Sequence, residues 1–196
     1  MDMPLVEEHK APLSRHRLTV ADVHKMAEVG ILAQEARVEL LEGELIDMPP
    51  IGSLHAGMVK FLLRLFTLAV GDTAIVDAQN PVVLDEHSEP QPDIAVLKPR
   101  ADFYTKSHPG PEDVLLLIEV ADSSAHYDRS VKIPLYARAN ITEVWLVDLP
   151  QKRLEVYRLP RPEYADYQRI EHCRDGTVSP EKLPGVAVSV TDLLIF

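Results

Sequence analysis

The sequence has a single cysteine, Cys173, and only eight glycines among 196 residues. One cysteine cannot form an internal disulfide and has no second thiol with which to bind a metal, so we expect Cys173 to be chemically inert. The few glycines build neither a Walker-type phosphate loop nor a dinucleotide-binding fingerprint. G-x-S-x-G and H-E-x-x-H motifs are missing as well, which excludes the commonest serine-hydrolase and zinc-protease sites.

Long hydrophobic runs are also scarce. No uninterrupted run approaches the ~20 residues that span a bilayer, and the first ten residues are acidic and polar where a signal peptide is basic and then apolar. We therefore expect a cytoplasmic protein without a membrane partner. Residues 1–17 have no hydrophobic period and are predicted to form a loose arm. Residues 18–196 are long enough, and the chain is hydrophobic enough at 46%, for a single domain with a sizeable core.

Basic residues are fewer than acidic residues. The chain has 20 lysines and arginines against 31 acidic residues, a formal net charge of −11. This balance argues against a protein that coats nucleic acid through counterion release alone. A polyanion would have to be attracted by a local positive charge, which a divalent metal bound to clustered carboxylates can supply. Equally, the acidic surface can serve solubility and nothing more.

Helical and strand patterns alternate along the chain. Thr19 is positioned to cap an amphipathic helix that ends at Gly30, and residues 37–48 have the pattern of a β-hairpin. A second helix is predicted between Ser53, as its cap, and Gly71. Strands are predicted at 73–78, 81–86, 93–97, 114–120, 143–149, 153–159 and 167–173, and the strand at 153–159 is expected to be more exposed than the buried strand at 143–149. The predicted fold class is α/β, with a mixed sheet and helices packed against it.

Two carboxylates fall where apolar strands are predicted. Asp93 begins the apolar run 93–97, and Glu119 interrupts the run 114–120. Burying an ionised carboxylate without a partner costs several kcal/mol, so Glu119 has to be paired, protonated or bound to a metal. Two carboxylates ~4 Å apart repel by ~4 kcal/mol at an effective dielectric near 20, and a bridging cation reverses that repulsion. The pair predicts a site for Mg²⁺ or Mn²⁺.

Glu119 is also compatible with a site that holds no metal. The residue would need no cation if it lay on an exposed sheet edge, or if it paired with Lys132 or Arg129. The histidines His55, His126 and His172 have no second histidine at ligand spacing, so each is expected at the surface or in a capping role.

Several segments, in order, resemble a known family. RVELLEGEL, PDIAV, LIEVADSSA and EVWLVD, with His55 at the start of a helix, resemble the Uma-type family of restriction endonucleases, a branch of the PD-(D/E)XK nuclease superfamily. The resemblance runs from about Leu18 to the C-terminus. It implies a restriction-endonuclease-like core with flanking helices and an N-terminal β-hairpin, and a metal-dependent phosphodiesterase site.

The resemblance also implies roles for individual residues. Asp93 and Glu119 would be metal ligands. The superfamily places a lysine two residues after the glutamate, where this chain has Ala121, and the resembled family moves it to the next helix, here Lys132. Pro134 is accommodated if that helix begins near Val131. The catalytic set is then Asp93, Glu119, Lys132 and Glu39, and the substrate contacts are His55, Arg129 and Tyr136, with Lys98 and Arg100 guiding phosphates.

Three functions follow from these features. The first is a Mg²⁺- or Mn²⁺-dependent endonuclease that cleaves the DNA backbone. A homodimer is expected for the chain whichever function applies. The second is a non-catalytic interaction or regulatory module on the same fold, which the acidic charge and Pro134 favour. The third is a phosphodiesterase for small nucleotides, for which a negative surface is no handicap.

Overall fold

The structure, a computed structural model, describes residues 15–33 and 35–195. Most of the predicted arm lies outside these ranges, and residues 15–17 are exposed without regular structure. The division into an arm and a domain from residue 18 stays a prediction. The helices are α1 (Val20–Glu28), α2 (Ser53–Val70), α3 (Ala125–Tyr127), α4 (Ile133–Arg138) and α5 (Val190–Leu193). The strands are β1 (Val38–Leu41), β2 (Glu44–Asp47), β3 (Ile75–Asp77), β4 (Ile94–Leu97), β5 (Val114–Ala121), β6 (Glu143–Asp148), β7 (Arg153–Arg161), β8 (Asp166–Cys173), β9 (Thr177–Val178) and β10 (Val188–Ser189).

Strands β3 to β8 form one six-stranded sheet in sequence order. Only β5 and β6 run parallel, and every other neighbouring pair is antiparallel. A parallel pair needs a crossover between its strands, which here is the helical segment 125–138. The predicted mixed α/β sheet with packed helices is confirmed.

Both faces of the sheet are covered, which explains the continuous apolar runs in β4, β5 and β6. Helix α2 and the C-terminal segment cover one face, where Phe66 packs edge to face on Trp145 with ring centroids 5.9 Å apart. The crossover and the β1–β2 hairpin cover the other face, where Leu41, Leu135 and Tyr136 join the core. Asp93 and Glu119 lie on this second face.

The local predictions at the start of the chain are confirmed. Thr19 caps α1 through a capping box with Asp22, in which each side chain accepts a hydrogen bond from the other residue's backbone. The hairpin turns at Glu42 and Gly43, both of which have positive φ, as a two-residue type I′ turn requires.

Helix α2 follows its apolar period, with Met58, Leu62 and Phe66 fully buried. Ser53 is wrong as its cap, because the helix begins there and Gly52 holds the capping position. The segment Ser53–Thr73 has a mean hydropathy of 1.4 and is long enough to cross a membrane, by length and composition only. The expectation concerned uninterrupted apolar runs, and Lys60 and Arg64 interrupt this one. Core helices of soluble proteins pass the same test.

One strand prediction is wrong. Residues 81–84 lie outside the sheet because the segment folds back on itself, and Val82 and Leu84 donate backbone hydrogen bonds to Pro90 and Ser88. Strand β7 is more exposed than β6, as predicted, because Arg153 and Leu159 are accessible, although residues 154–158 are buried. The charged residues that made it look exposed, Glu155 and Arg158, are ion-paired.

The crossover contains a π-helical turn, Asp128–Lys132, between α3 and α4. Here the Ile133 N–H donates to the Asp128 carbonyl, five residues back. Pro134 has no N–H and its ring would crowd the carbonyl of Ser130 in a regular helix, so the wider turn accommodates it. Helix α4 begins at Ile133, close to the predicted start near Val131, and Pro134 lies in its first turn as predicted, although helical backbone already precedes α4 from Ala125.

Candidate active site

Asp93 and Glu119 lie on adjacent antiparallel strands. Ile94 pairs with Ile118, so extending the register by one residue places Asp93 opposite Glu119 on the same face. The two residues are 8% and 2% exposed. Strand β5 has neighbours on both sides, which rules out an exposed sheet edge as the location of Glu119.

Asp93 is held by hydrogen bonds from three directions. Its Oδ2 accepts the Val120 backbone N–H at 2.9 Å and lies 3.0 Å from Nε2 of His55. Its Oδ1 accepts a hydrogen bond from the side-chain amide of Gln79 at 3.1 Å. The hydrogen bond with Asp93 raises the pKa of His55, against the opposing effect of partial burial. The structure therefore places His55 beside the predicted metal ligand.

Lys132 reaches the same site from the crossover. Its Nζ lies 2.9 Å from Oε1 of Glu39, on the hairpin, and 3.2 Å from Oε1 of Glu119. The Tyr136 hydroxyl donates to the same Glu119 oxygen at 2.5 Å. Both interactions use Oε1, so Oε2 is the Glu119 atom available to a cation. Of the two pairings considered for Glu119, the one with Lys132 is formed.

Burial dominates the electrostatics of this cluster. It raises the pKa of Glu119 from 4.5 to about 8, opposed by the Lys132 ammonium and reinforced by the neighbouring Asp93, Asp128 and Glu39. Burial alone would lower the pKa of Lys132, but Glu119 and Glu39 outweigh it and raise that pKa. Lys132 is therefore charged at neutral pH. A cation that binds beside Glu119 would lower the pKa of Glu119 and favour its ionised form.

The cluster forms one wall of an open cleft of about 280 Å³. Among its lining residues are Arg37, Gln79, Tyr127 and Asp128, none of which was predicted to belong to the site. Asp128 is 4% exposed and accepts a hydrogen bond from Ser124 Oγ at 2.6 Å. Its position four residues before Lys132, on the same helical face, was the signal that could have identified it. Gln79 had no comparable signal.

Four residues predicted to contact or guide the substrate need correction. Arg129 points away from the cleft, where Glu155 binds its Nη2 at 2.8 Å and Asp148 binds it as well. Tyr136 is fully buried, so it contacts Glu119 and cannot contact a substrate. Lys98 and Arg100 follow the far end of β4, and Arg100 is paired with Asp102.

The residues present fit a divalent cation. Asp93 and Glu119 offer carboxylate oxygens, the donors that Mg²⁺ and Mn²⁺ prefer. Four acidic residues, Asp93, Glu119, Glu39 and Asp128, surround a single lysine, so the buried cluster has excess negative charge. Two further polar atoms, Nδ1 of His55 and the Tyr127 hydroxyl, are buried at the cleft without a hydrogen-bond partner among the described residues.

A mixed sheet with helices on both faces, carrying two facing carboxylates and a lysine, defines a restriction-endonuclease-like fold. A search of solved structures supports this class. The crystal structure of "a putative nuclease belonging to DUF820" from Anabaena variabilis ATCC 29413 superposes with a TM-score of 0.68 at 19% identity, over 91% of this chain and 98% of that one. At this identity the likeness shows the fold alone.

The sequence itself shows the family. The family model Uma2, described as "Putative restriction endonuclease", matches residues 20–191. The chain belongs to the Uma2 family, which confirms the resemblance seen in its motifs. The search of curated proteins found no match.

Proposed function

We propose that this protein is an endonuclease that hydrolyses DNA phosphodiester bonds with Mg²⁺ or Mn²⁺. The observation that carries the proposal is the buried Lys132 ammonium, 3.2 Å from Glu119, on the wall of a cleft that also contains Asp93. A structural ion pair would not need an open cleft beside it or three more acidic side chains around it.

The bound metal would be held by Asp93 and Glu119, and it supplies Lewis-acid chemistry and a water of lowered pKa. Lys132 orients the attacking water and offsets negative charge that develops at the phosphorus centre. Glu39 fixes the lysine through the 2.9 Å contact, and Tyr136 fixes Glu119. His55 and Gln79 hold the Asp93 carboxylate in one orientation.

Substrate phosphates need a cation at the mouth of the cleft. Arg37 provides it, because it is exposed and lines the cleft. Its Nη1 donates a hydrogen bond to the Pro49 carbonyl at 3.0 Å, and its charge has no acidic partner among the residues that the structure describes. Arg37 thus takes the role predicted from sequence for Arg129. Binding should weaken with salt and require the divalent metal, since the chain as a whole is acidic.

A small-nucleotide phosphodiesterase is the second candidate. The observations in its favour are the net charge of −11 and the modest cleft, in which Arg37 is the only arginine among the described lining residues. Pro134 no longer favours the non-catalytic module, because the π turn accommodates this proline while Lys132 reaches Glu119.

Plasmid nicking with Mg²⁺ and with Mn²⁺ tests the proposal. We expect metal-dependent nicking that is lost in Asp93→Ala and retained when an exposed lysine is changed, as in Lys98→Met. Parallel incubation with a linear duplex and with a cyclic dinucleotide separates the two substrates. Absence of activity on both, together with no metal bound in calorimetry, would rule out both enzyme functions.

A further inference from the structure

A second group of metal-binding side chains lies outside the cleft. His24, Glu89 and His108 each present one ligand atom, and these three atoms lie within 4.8 Å of one another. None of the three lines the cleft that contains Asp93 and Glu119. The group is therefore separate from the candidate active site.

The central member is a buried carboxylate. Glu89 is 8% exposed, and both of its oxygens lie close to Nε2 of His24, at 3.0 and 3.1 Å. The rings of His24 and His108 have centroids 6.2 Å apart, at an angle of 65°. Both histidines are exposed, so their rings can rotate around a shared ion without disturbing the core.

The backbone holds the three segments together. His24 lies on α1, whose first residue, Val20, donates a hydrogen bond to the Glu86 carbonyl at 2.9 Å. His108 precedes the buried Pro109, whose carbonyl accepts the Val83 N–H at 3.0 Å. Both histidines are thus anchored on the segment that carries Glu89, so the donor set is preorganised rather than a chance meeting of mobile side chains.

The donor set selects the class of metal. Two imidazoles and one carboxylate suit Zn²⁺ and neighbouring transition metals, whereas Mg²⁺ prefers an all-oxygen set. Ligands about 2.1 Å from a tetrahedral ion are about 3.4 Å apart, so atoms within 4.8 Å of one another need to move only slightly. The acidic chain also attracts cations.

We propose that His24, Glu89 and His108 bind one Zn²⁺ ion, with a water in the fourth position. The ion joins α1, the loop before Gly110 and the segment that leads to β4. That segment supports the cleft, because the Glu89 N–H donates to the Leu40 carbonyl at 2.7 Å and the Gln91 N–H donates to Glu39 at the same distance. The ion thus stabilises the segment that positions Glu39. It is separate from the metal proposed for Asp93 and Glu119.

The test is Zn²⁺ titration of the full chain by calorimetry, with Mg²⁺ in large excess to occupy the oxygen site. Zinc content after dialysis and the melting temperature with and without Zn²⁺ are measured in parallel. We expect one Zn²⁺ per chain and a higher melting temperature, and affinity weakened about 100-fold or more in the double variant His24→Gln, His108→Gln.

His172→Gln is the matched control. The His172 side chain is 53% exposed beside the buried Glu155, much as His24 is 52% exposed beside Glu89, but no second imidazole joins His172 in such a group within the described part of the chain. This variant should bind Zn²⁺ like the wild type, and Zn²⁺ should raise its melting temperature by the same amount as that of the wild type. The proposal is overturned if the wild type binds no Zn²⁺ under these conditions, or if the double variant binds it as tightly as the wild type.

Discussion

Two clusters of buried charge lie on the same face of the sheet, and the same helical crossover contributes a cation to each. The register places Glu119, Leu146 and Glu155 in one row across β5, β6 and β7. Lys132 binds the first of these glutamates, and Arg129, one helical turn earlier, binds the second. In both clusters a tyrosine hydroxyl also donates to the glutamate, Tyr136 in one and Tyr157 in the other.

The clusters differ in charge balance and in access. Arg129 and Arg153 face Asp148 and Glu155, so two cations meet two carboxylates in a closed pairing. Lys132 is instead the single lysine among four acidic side chains beside an open cleft. The comparison assigns the Arg129 cluster to the stability of the fold, and it supports our proposal that the Lys132 cluster is the metal and substrate site.

The largest expected effect is on activity. In the proposed mechanism, Lys132→Met removes the charge that orients the water and offsets the transition-state charge, so we expect nicking to slow about 100- to 1000-fold. Lys98→Met, an exposed lysine at the other end of β4, is the control and should nick at the wild-type rate. Circular dichroism should show both variants folded. Equal rates in the two variants would disprove the role of Lys132.

The reverse pattern is expected in the Arg129 cluster. Arg129→Met leaves Asp148 and Glu155, each 1% exposed, with Arg153 as the remaining arginine partner. We expect the free energy of unfolding to fall by roughly 3 kcal/mol, measured by urea denaturation. Metal-dependent nicking per folded molecule should stay close to wild type. A loss of activity without a loss of stability would show that Arg129 serves the substrate after all.

The pH dependence of stability should single out Glu119. Its pKa in the folded protein, about 8, exceeds the ordinary value of 4.5, so its contribution to stability is complete below about 4.5 and lost as pH rises through about 8. Without metal, we expect the free energy of unfolding to fall by roughly 2 kcal/mol between pH 6 and pH 8. Glu119→Gln should flatten this fall in urea titrations. An identical pH profile in the variant would refute the assignment.

A smaller effect is expected from Tyr136→Phe. The variant removes only the hydroxyl that donates to Glu119, and a hydrogen bond to a charged group contributes roughly 1.5–3 kcal/mol. We expect nicking to slow about tenfold, because the carboxylate loses one of its two anchors. Tyr157→Phe, the equivalent change in the Arg129 cluster, should leave the nicking rate unchanged. If Tyr157→Phe slows nicking equally, the two clusters are not functionally distinct.

Local sequence patterns predicted the helix cap, the hairpin turn and the buried face of α2. The capping box at Thr19, the glycine turn at Gly43 and the apolar period of α2 depend on neighbours within a few residues, and the structure has each of them. Asp93 and Glu119 were recognisable because a charge inside an apolar strand needs a partner. Their catalytic roles stay predictions.

What the sequence could not predict depends on contacts between distant segments. The direction of Arg129 is set by Asp148 and Glu155, on strands whose order was unknown from sequence. Gln79 reaches Asp93 only because the chain after β3 folds back beside the start of β4. The group formed by His24, Glu89 and His108 joins segments that are far apart in the sequence, so no ligand spacing reveals it.

The most direct test of the comparison is calorimetric titration with Mn²⁺ of the wild type, Asp93→Asn and Arg129→Met, at a pH near 7. We predict that the wild type and Arg129→Met bind Mn²⁺ with similar affinity, and that Asp93→Asn loses this binding because one of the two carboxylate ligands is neutralised. Unchanged Mn²⁺ binding in Asp93→Asn would contradict the assignment of the metal site to Asp93 and Glu119.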